Sequence, residues 1–388
     1  MRLAAAFVLA LGMVPLQSQV RESGPGAPTS VSGPSSVVGR PGLVVDEQAQ
    51  GLGPVALEAR QTHGGVDVVA MGEGMRRVYV FLPAEPAVVG KVPFVFFRHG
   101  WQGMNPRAYG ALIDHLAREG NVVVFPVYQE NDATSPQIVV ANAAAGERAA
   151  LEALKALGVE PDAQRVVYFG YSMGAAISLK LASTYVKEGL PRPQAMVFAA
   201  PGDAYHVANG EDAKSIWPVL SELPATLPVA IVTGEQDTEI GLPTGRKLAA
   251  ALCKVTRPDR LVLLVLPADE HAGKKVGAGH GSPGAPDSRY DFDLKTPLSE
   301  IPKHIAGRVG FEASASLNNL DFYGYWRVLD AVIDSVATAP STSAKYVFPP
   351  IFFEEHARGF MPKLFPMGTW PDGTPFRQAL IENSCNLR

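Results

Sequence analysis

The sequence predicts an α/β fold: a mostly parallel central sheet with helices on both faces, preceded by antiparallel N-terminal strands. Three observations predict it. Near-continuous apolar runs stand at 92–98 (VPFVFFR), 121–127 (NVVVFPV), 165–170 (RVVYFG), 195–199, 229–233 and 260–266 (RLVLLVL). They are the length of strands and lack the alternation of a half-exposed one, as expected for strands covered on both faces. Segments of helical spacing separate them, at 106–119, 139–157, 173–187, 245–253 and 317–337. Parallel strands need such crossovers, so the alternation builds a parallel sheet. No repeat of roughly 20–50 residues is visible, which excludes a solenoid or propeller.

The elements follow in order. Short strand-like segments at 55–60, 66–70 and 76–82, broken by glycines, form the antiparallel entry. The buried strands and helices come next, with Gly158 stopping the helix over 139–157. Two stretches break the rhythm. The segment 202–228 reads as a small cap, and 268–316 is a long Gly-, Pro- and charge-rich loop of the kind that is usually functional or mobile. The tail beyond 340 is rich in aromatics and prolines, including 367–373 (MGTWPDG), and reads as packed on the body.

Composition narrows the function. The 388 residues carry 34 basic and 38 acidic side chains, a formal charge of −4, with 47% hydrophobic and 19% charged residues. That apolar content excludes a disordered chain. The slightly acidic balance offers no positive field for nucleic acid.

Residues 1–20 read as an export signal: Arg2, an apolar stretch over 3–14, then Gln17, Ser18 and Gln19 as a cleavage region. A buried N-terminal helix is the alternative. Residues 21–53 form a Gly-, Pro- and Ser-rich leader, 54–340 the folded domain and 341–388 a C-terminal extension. The expected location is secreted or periplasmic. No later segment approaches ~18 unbroken apolar residues, so no membrane span is expected after processing. In an exported chain the two cysteines, Cys253 and Cys385, permit one disulfide that would pin the tail; two unpaired thiols are the alternative.

The sharpest motif is Gly170-Tyr171-Ser172-Met173-Gly174, the chain's single match to G-x-S-x-G. A buried strand ends at Gly170 and a helix begins at Met173. Such a strand-to-helix turn presents a serine hydroxyl outward, with glycines relieving the crowding and the helix N-terminus adding positive potential. Serine needs a base, and the base an orienting acid, in chain order Ser, Asp or Glu, His. Asp237, just past the strand 229–233 in Gly234-Glu235-Gln236-Asp237, is the favoured acid, with Glu235 its rival. Two histidines follow the strand 260–266. His280, in a glycine-rich turn (277–283, GAGHGSP), is favoured as base over His271, which lies five residues past that strand. His63, His115, His206, His304 and His356 read as solvated or structural. Oxyanion donors are expected from the backbone N–H of Met173 and of Trp101, in the loop 99–103 (HGWQG), with His99 shaping that loop and the Trp101 ring free to line a substrate pocket.

These residues, over about 55–337, resemble the α/β-hydrolase family through the H-G-W loop, G-Y-S-M-G, G-E-Q-D and the His loop in the expected order. Within it the chain looks like exported bacterial lipase, cutinase and polyester-hydrolase relatives, and like chlorophyllase and dienelactone-hydrolase types. The segment 278–283 (AGHGSP) is similar to the H-x-A-P pattern around the polyester-hydrolase His, and 320–326 (LDFYGYW) looks like the aromatic helix that follows that loop. The polyester-hydrolase His sits close behind its strand, where His271 stands here. The resemblance implies a serine hydrolase acting on small or polymeric carboxylic esters through an acyl-enzyme, and the exported single-domain layout makes a monomer the expected state. No metal or cofactor is implied, since H-E-x-x-H, the P-loop and the dinucleotide fingerprint are all missing from the sequence. A serine peptidase or acyltransferase, and a binding protein on a retired hydrolase scaffold, are the competing readings.

Overall fold

The computed structural model describes residues 60–131, 134–202, 217–292, 315–338, 353–356, 359–362, 364–382 and 385. The expected signal, the leader, most of the strand expected at 55–60 and much of the segments 202–228, 268–316 and 341–388 lie outside the described residues.

The buried apolar runs form the centre of a ten-stranded sheet. Its strands are β1 (Gly65–Met71), β2 (Val78–Ala84), β3 (Gly90–Arg98), β4 (Val122–Pro126), β5 (Val159–Tyr171), β6 (Ala195–Ala199), β7 (Val229–Gly234) and β8 (Leu261–Leu266), with β13 (Leu364–Phe365) and β14 (Ala379–Glu382) from the tail. The order across the sheet is β1-β2-β4-β3-β5-β6-β7-β8-β14-β13. β4 through β8 run parallel, while β1, β2, β14 and β13 pair antiparallel at the two edges.

Period-two alternation along each strand divides the core between the two faces. Val95 and Phe97 of β3 join Phe125, Phe169 and Leu264 on one face, against α1 (Gly110–Arg118) and α5 (Arg327–Thr338). Phe94 and Phe96 join Val124, Tyr168 and Leu263 on the other, against α2 (Pro136–Ala156), α3 (Met173–Glu188) and α4 (Gly241–Leu252). Both faces are dry, so the strands have no polar side to show, and this is why their sequences read as unbroken apolar runs.

Several boundaries differ from the sequence expectation. β5 begins at Val159, because 159–161 pair with the start of β3 before a register shift at Val92 and Phe94. The helix expected at 317–337 opens as a π-helical turn, Leu320–Trp326. The loop after β8 contains a small hairpin, β9 (Asp269–His271) and β10 (Lys274–Val276), turning through Ala272 and Gly273 at φ of 50° and 77°. In the tail, β11 (Phe353–His356) and β12 (Gly359–Pro362) form a second hairpin. β14 lies on β8, and Cys385 just beyond it is disulfide-bonded to Cys253 at the end of α4, with Cα atoms 5.2 Å apart. Among the described residues no helix is long and apolar enough to cross a membrane.

Candidate active site

Ser172 occupies the turn between β5 and α3 with φ 50° and ψ −121°, a conformation a non-glycine residue adopts only when its surroundings enforce it. Three backbone bonds do so: Ser172 N to Ala199 O at 3.0 Å, and Ala175 N and Gly202 N to Ser172 O at 3.0 and 2.9 Å. The flanking glycines answer a close approach. A Cβ on Gly170 would lie 2.5–2.6 Å from the backbone of Gly174 and Ala175, and one on Gly174 would lie 2.0 Å from the Arg98 carbonyl. The helix therefore folds directly over the ends of β5 and β3.

His280 meets this serine. Its Nε2 is 2.9 Å from Ser172 Oγ and its Nδ1 is 2.7 Å from Asp237 Oδ2. With Nδ1–H donating to the carboxylate, the Nε2 lone pair faces the serine hydroxyl, which donates to it. All three are largely shielded, at 9% (Ser172), 3% (Asp237) and 6% (His280) exposure, so the contacts are not diluted by bulk water. The acid and base loops are joined to each other. Gln236 N donates to Ala278 O and Ala278 N to Gln236 Oε1, both at 3.0 Å. Glu235 N donates to Leu266 O at 2.8 Å, which fixes the acid loop to the end of β8.

The sequence rivals stand elsewhere, and the same tail occupies both. His271 lies in the β9–β10 hairpin with Nε2 2.7 Å from Asp372 Oδ2 and its ring beside Trp370. Glu235 accepts Arg377 at 2.5 and 3.1 Å and the Ala268 N–H at 3.0 Å. Neither side chain is joined to Ser172 or His280.

The loop at 99–103 abuts the elbow: a Cβ on Gly100 would lie 3.1 Å from Ser172 Cβ. Gly103 N closes back on Gly100 O at 3.0 Å, and Gln102, at φ 59°, donates its N–H to Gln129 Oε1 at 2.8 Å. Trp101 is half-buried within this turn. Met173 is the first residue of α3, where an N–H has no acceptor within the helix. His99 is fully buried, stacked on Tyr128 at 3.9 Å, with Nδ1 2.6 Å from Gly100 O. Burial lowers it to about 3, although that backbone bond opposes the shift, so it is neutral and serves the loop's shape. Arg98, one residue earlier, is locked by a bidentate pair with Glu147 at 2.8 Å and lies over the Tyr168 ring, which holds the end of β3.

Sequence reasoning missed a second layer of residues. Tyr171 OH donates to the His280 carbonyl at 3.0 Å, Ser282 Oγ donates to Gly279 O at 2.7 Å, and the Tyr325 hydroxyl lies 2.8 Å from Ser282 Oγ. Tyr171 and His280 lie 109 residues apart and Ser282 and Tyr325 lie 43 apart, so no local spacing announces those two pairs, while Ser282 to Gly279 is a turn within the base loop.

Among the described residues one group gathers metal-ligating atoms: His115, Glu119 and Asp330, within 4.8 Å of one another. Arg60 already supplies positive charge there, with Nε 2.6 Å from Glu119 and 3.8 Å from Asp330. The group is an ion cluster bracing α1 against α5.

A chlorophyllase family model matches residues 67–234, the stretch from β1 to β7 that includes Ser172. No curated protein matches the sequence significantly. Similar solved structures include a thermostable carboxylesterase, EstE1, from a metagenomic library (17% identity, 56% of this chain and 84% of that chain, TM-score 0.43). They also include carboxyl esterase 2 of the mycorrhizal fungus Tuber melanosporum (19%, 65% and 87%, TM-score 0.42) and an esterase of Pyrobaculum calidifontis (18%, 55% and 79%, TM-score 0.41). The mostly parallel sheet with its antiparallel N-terminal strands and the strained serine between β5 and α3 give this chain an α/β-hydrolase fold.

Proposed function

We propose that this chain is an exported serine hydrolase that cleaves carboxylic esters through an acyl-enzyme. The observation that carries the reading is the imidazole of His280 bridging Asp237 to Ser172 at a strained strand-to-helix turn. The chlorophyllase family match supports an ester as substrate. The Cys253–Cys385 bridge supports an oxidising compartment, and with it the export signal read at 1–20.

In this mechanism His280 Nε2 takes the Ser172 proton as the serine oxygen bonds to the ester carbonyl carbon. The carbonyl electron pair moves onto oxygen, facing the N–H groups of Trp101 and Met173. Collapse breaks the bond to the alcohol oxygen, which leaves with the proton from His280. Water then attacks the acyl-enzyme by the same route, its proton passing through His280 to Ser172 as the acid departs. Asp237 holds the ring in its tautomer and stabilises the imidazolium.

Turnover of p-nitrophenyl esters against the matching p-nitroanilides tests the reading. The proposal expects ester cleavage that Ser172→Ala abolishes, with amide cleavage at least a hundredfold slower. Wild-type ester turnover in Ser172→Ala would refute it, and faster amide cleavage would favour a peptidase.

A further inference from the structure

Building on the roles proposed for Ser172 and His280, we infer that Tyr171 is a positioning residue that sets the base, the nucleophile and the oxyanion loop against one another. Three contacts converge on it. Its backbone is bonded to Ser172 and is the last residue of β5. Its hydroxyl donates to the His280 carbonyl at 3.0 Å. Its ring closes against the loop 99–103, where a Cβ on Gly100 would lie 2.8 and 2.9 Å from ring carbons. Tyr109 packs edge-on to the ring at 5.6 Å, and the Tyr109 hydroxyl accepts the Gly100 N–H at 3.4 Å, closing the circuit.

The need for such a residue follows from the base loop. The imidazole is held at both nitrogens, yet its backbone lies between Gly279 and Gly281, which lend the chain little stiffness. Fixing the carbonyl between these glycines fixes the origin of the side chain. Burial holds the phenol well above its ordinary value, and Tyr109, Asp237 and Tyr325 push the same way, so it remains a donor across the working range. No motif demands tyrosine at this place in G-x-S-x-G. The demand comes from a carbonyl 109 residues away.

Tyr171→Phe tests this, because it keeps the ring against Gly100 and removes the donor. Rates are expressed per Ser172 site titrated with a fluorophosphonate, so unfolded protein does not count. We expect kcat on a p-nitrophenyl ester to fall about tenfold or more with KM within about twofold, and the phosphonate inactivation rate constant to fall by the same factor. Tyr290→Phe is the comparison: its buried hydroxyl donates to Asp114 Oδ1 at 2.6 Å, away from the site. It is expected to lose similar thermal stability and keep wild-type kcat. Unchanged kcat in Tyr171→Phe, an equal kcat loss in both variants, or a raised KM alone would overturn the inference. Failure of the wild-type protein to label at Ser172 would instead overturn the esterase reading beneath it.

Discussion

Gln236 and Ala278 close a two-bond ring between the loop that carries Asp237 and the loop that carries His280, each bond 3.0 Å long. Asp237 and His280, the proposed acid and base, are thus brought into register by two residues outside the Ser172–His280–Asp237 chain of hydrogen bonds. A Cβ on Gly234 would lie 2.0 Å from the Ala278 carbonyl, so the two loops already meet at backbone distance. Gln236→Ala removes one acceptor and leaves the Ala278 N–H unpaired. This should cost about 1–2 kcal/mol of stability and lower kcat roughly tenfold with little change in KM. Urea melts and steady-state kinetics check both numbers; a kcat equal to wild type would detach this pair from catalysis.

Gly174 predicts a sharper failure. A methyl there would lie 2.0 Å from the Arg98 carbonyl, which is backbone and belongs to a strand end locked by Glu147. Gly174→Ala must push α3 away from β3 and carry Ser172 with it. We expect destabilisation of about 3 kcal/mol or more and at least a hundredfold loss of kcat/KM in whatever folds. Wild-type melting and turnover would show that the elbow has slack.

The pH dependence of stability follows from two buried histidines. Burial alone would lower His115, but Asp330 and Glu119 outweigh it and raise it from 6.5 to about 8. The native state then binds more protons between these values. Its contribution is fully present below pH 6.5 and is lost as pH rises through 8, about 2 kcal/mol in all. Glu119, raised by burial from 4.5 to about 7, acts in the same direction at lower pH. His99, lowered by burial from 6.5 to about 3, acts oppositely: its contribution is present above pH 6.5 and is lost as pH falls toward 3. Urea midpoints between pH 6.5 and 8.5 should therefore fall in the wild type and stay flatter in His115→Gln. Parallel profiles would contradict the assignment.

The tail's attachment is open to chemistry. The Cys253–Cys385 bridge closes a loop spanning 132 residues, and chain entropy allows it up to about 5 kcal/mol. Its loss frees the end of β14, whose neighbours Trp370 and Arg377 hold Asp269, while Arg377 also holds Glu235. Reductant, or Cys253→Ser with Cys385→Ser, should lower the melting temperature by several degrees and reduce activity after heating. An unchanged melting temperature would show that β14 holds without the bridge.

What the sequence disclosed and what it hid have separate physical causes. Strands buried on both faces must be apolar throughout, so β3 through β8 were readable from runs of Val, Phe and Leu. The serine turn was readable because its two glycines answer local crowding. β14 was not: ALIE is short, and it becomes a strand only by lying on β8, more than a hundred residues earlier. The β9–β10 hairpin was hidden for the opposite reason, since DEH and KKV are charged and carry no apolar alternation. That hairpin also explains the contest between histidines. It absorbs the residues just past β8, His271 among them, and the chain reaches the serine only after it, at His280. Tyr171 and Gln236 act through a backbone carbonyl and a backbone amide distant in sequence, a kind of partner that leaves no pattern in one chain.

The most direct measurement is covalent labelling of the folded protein with a fluorophosphonate, located by peptide mass spectrometry. One stoichiometric adduct is expected, on Ser172, formed at a rate that drops at least a thousandfold in His280→Ala and is unaffected in His271→Ala. An unlabelled Ser172, or a rate lost in His271→Ala and kept in His280→Ala, would contradict it.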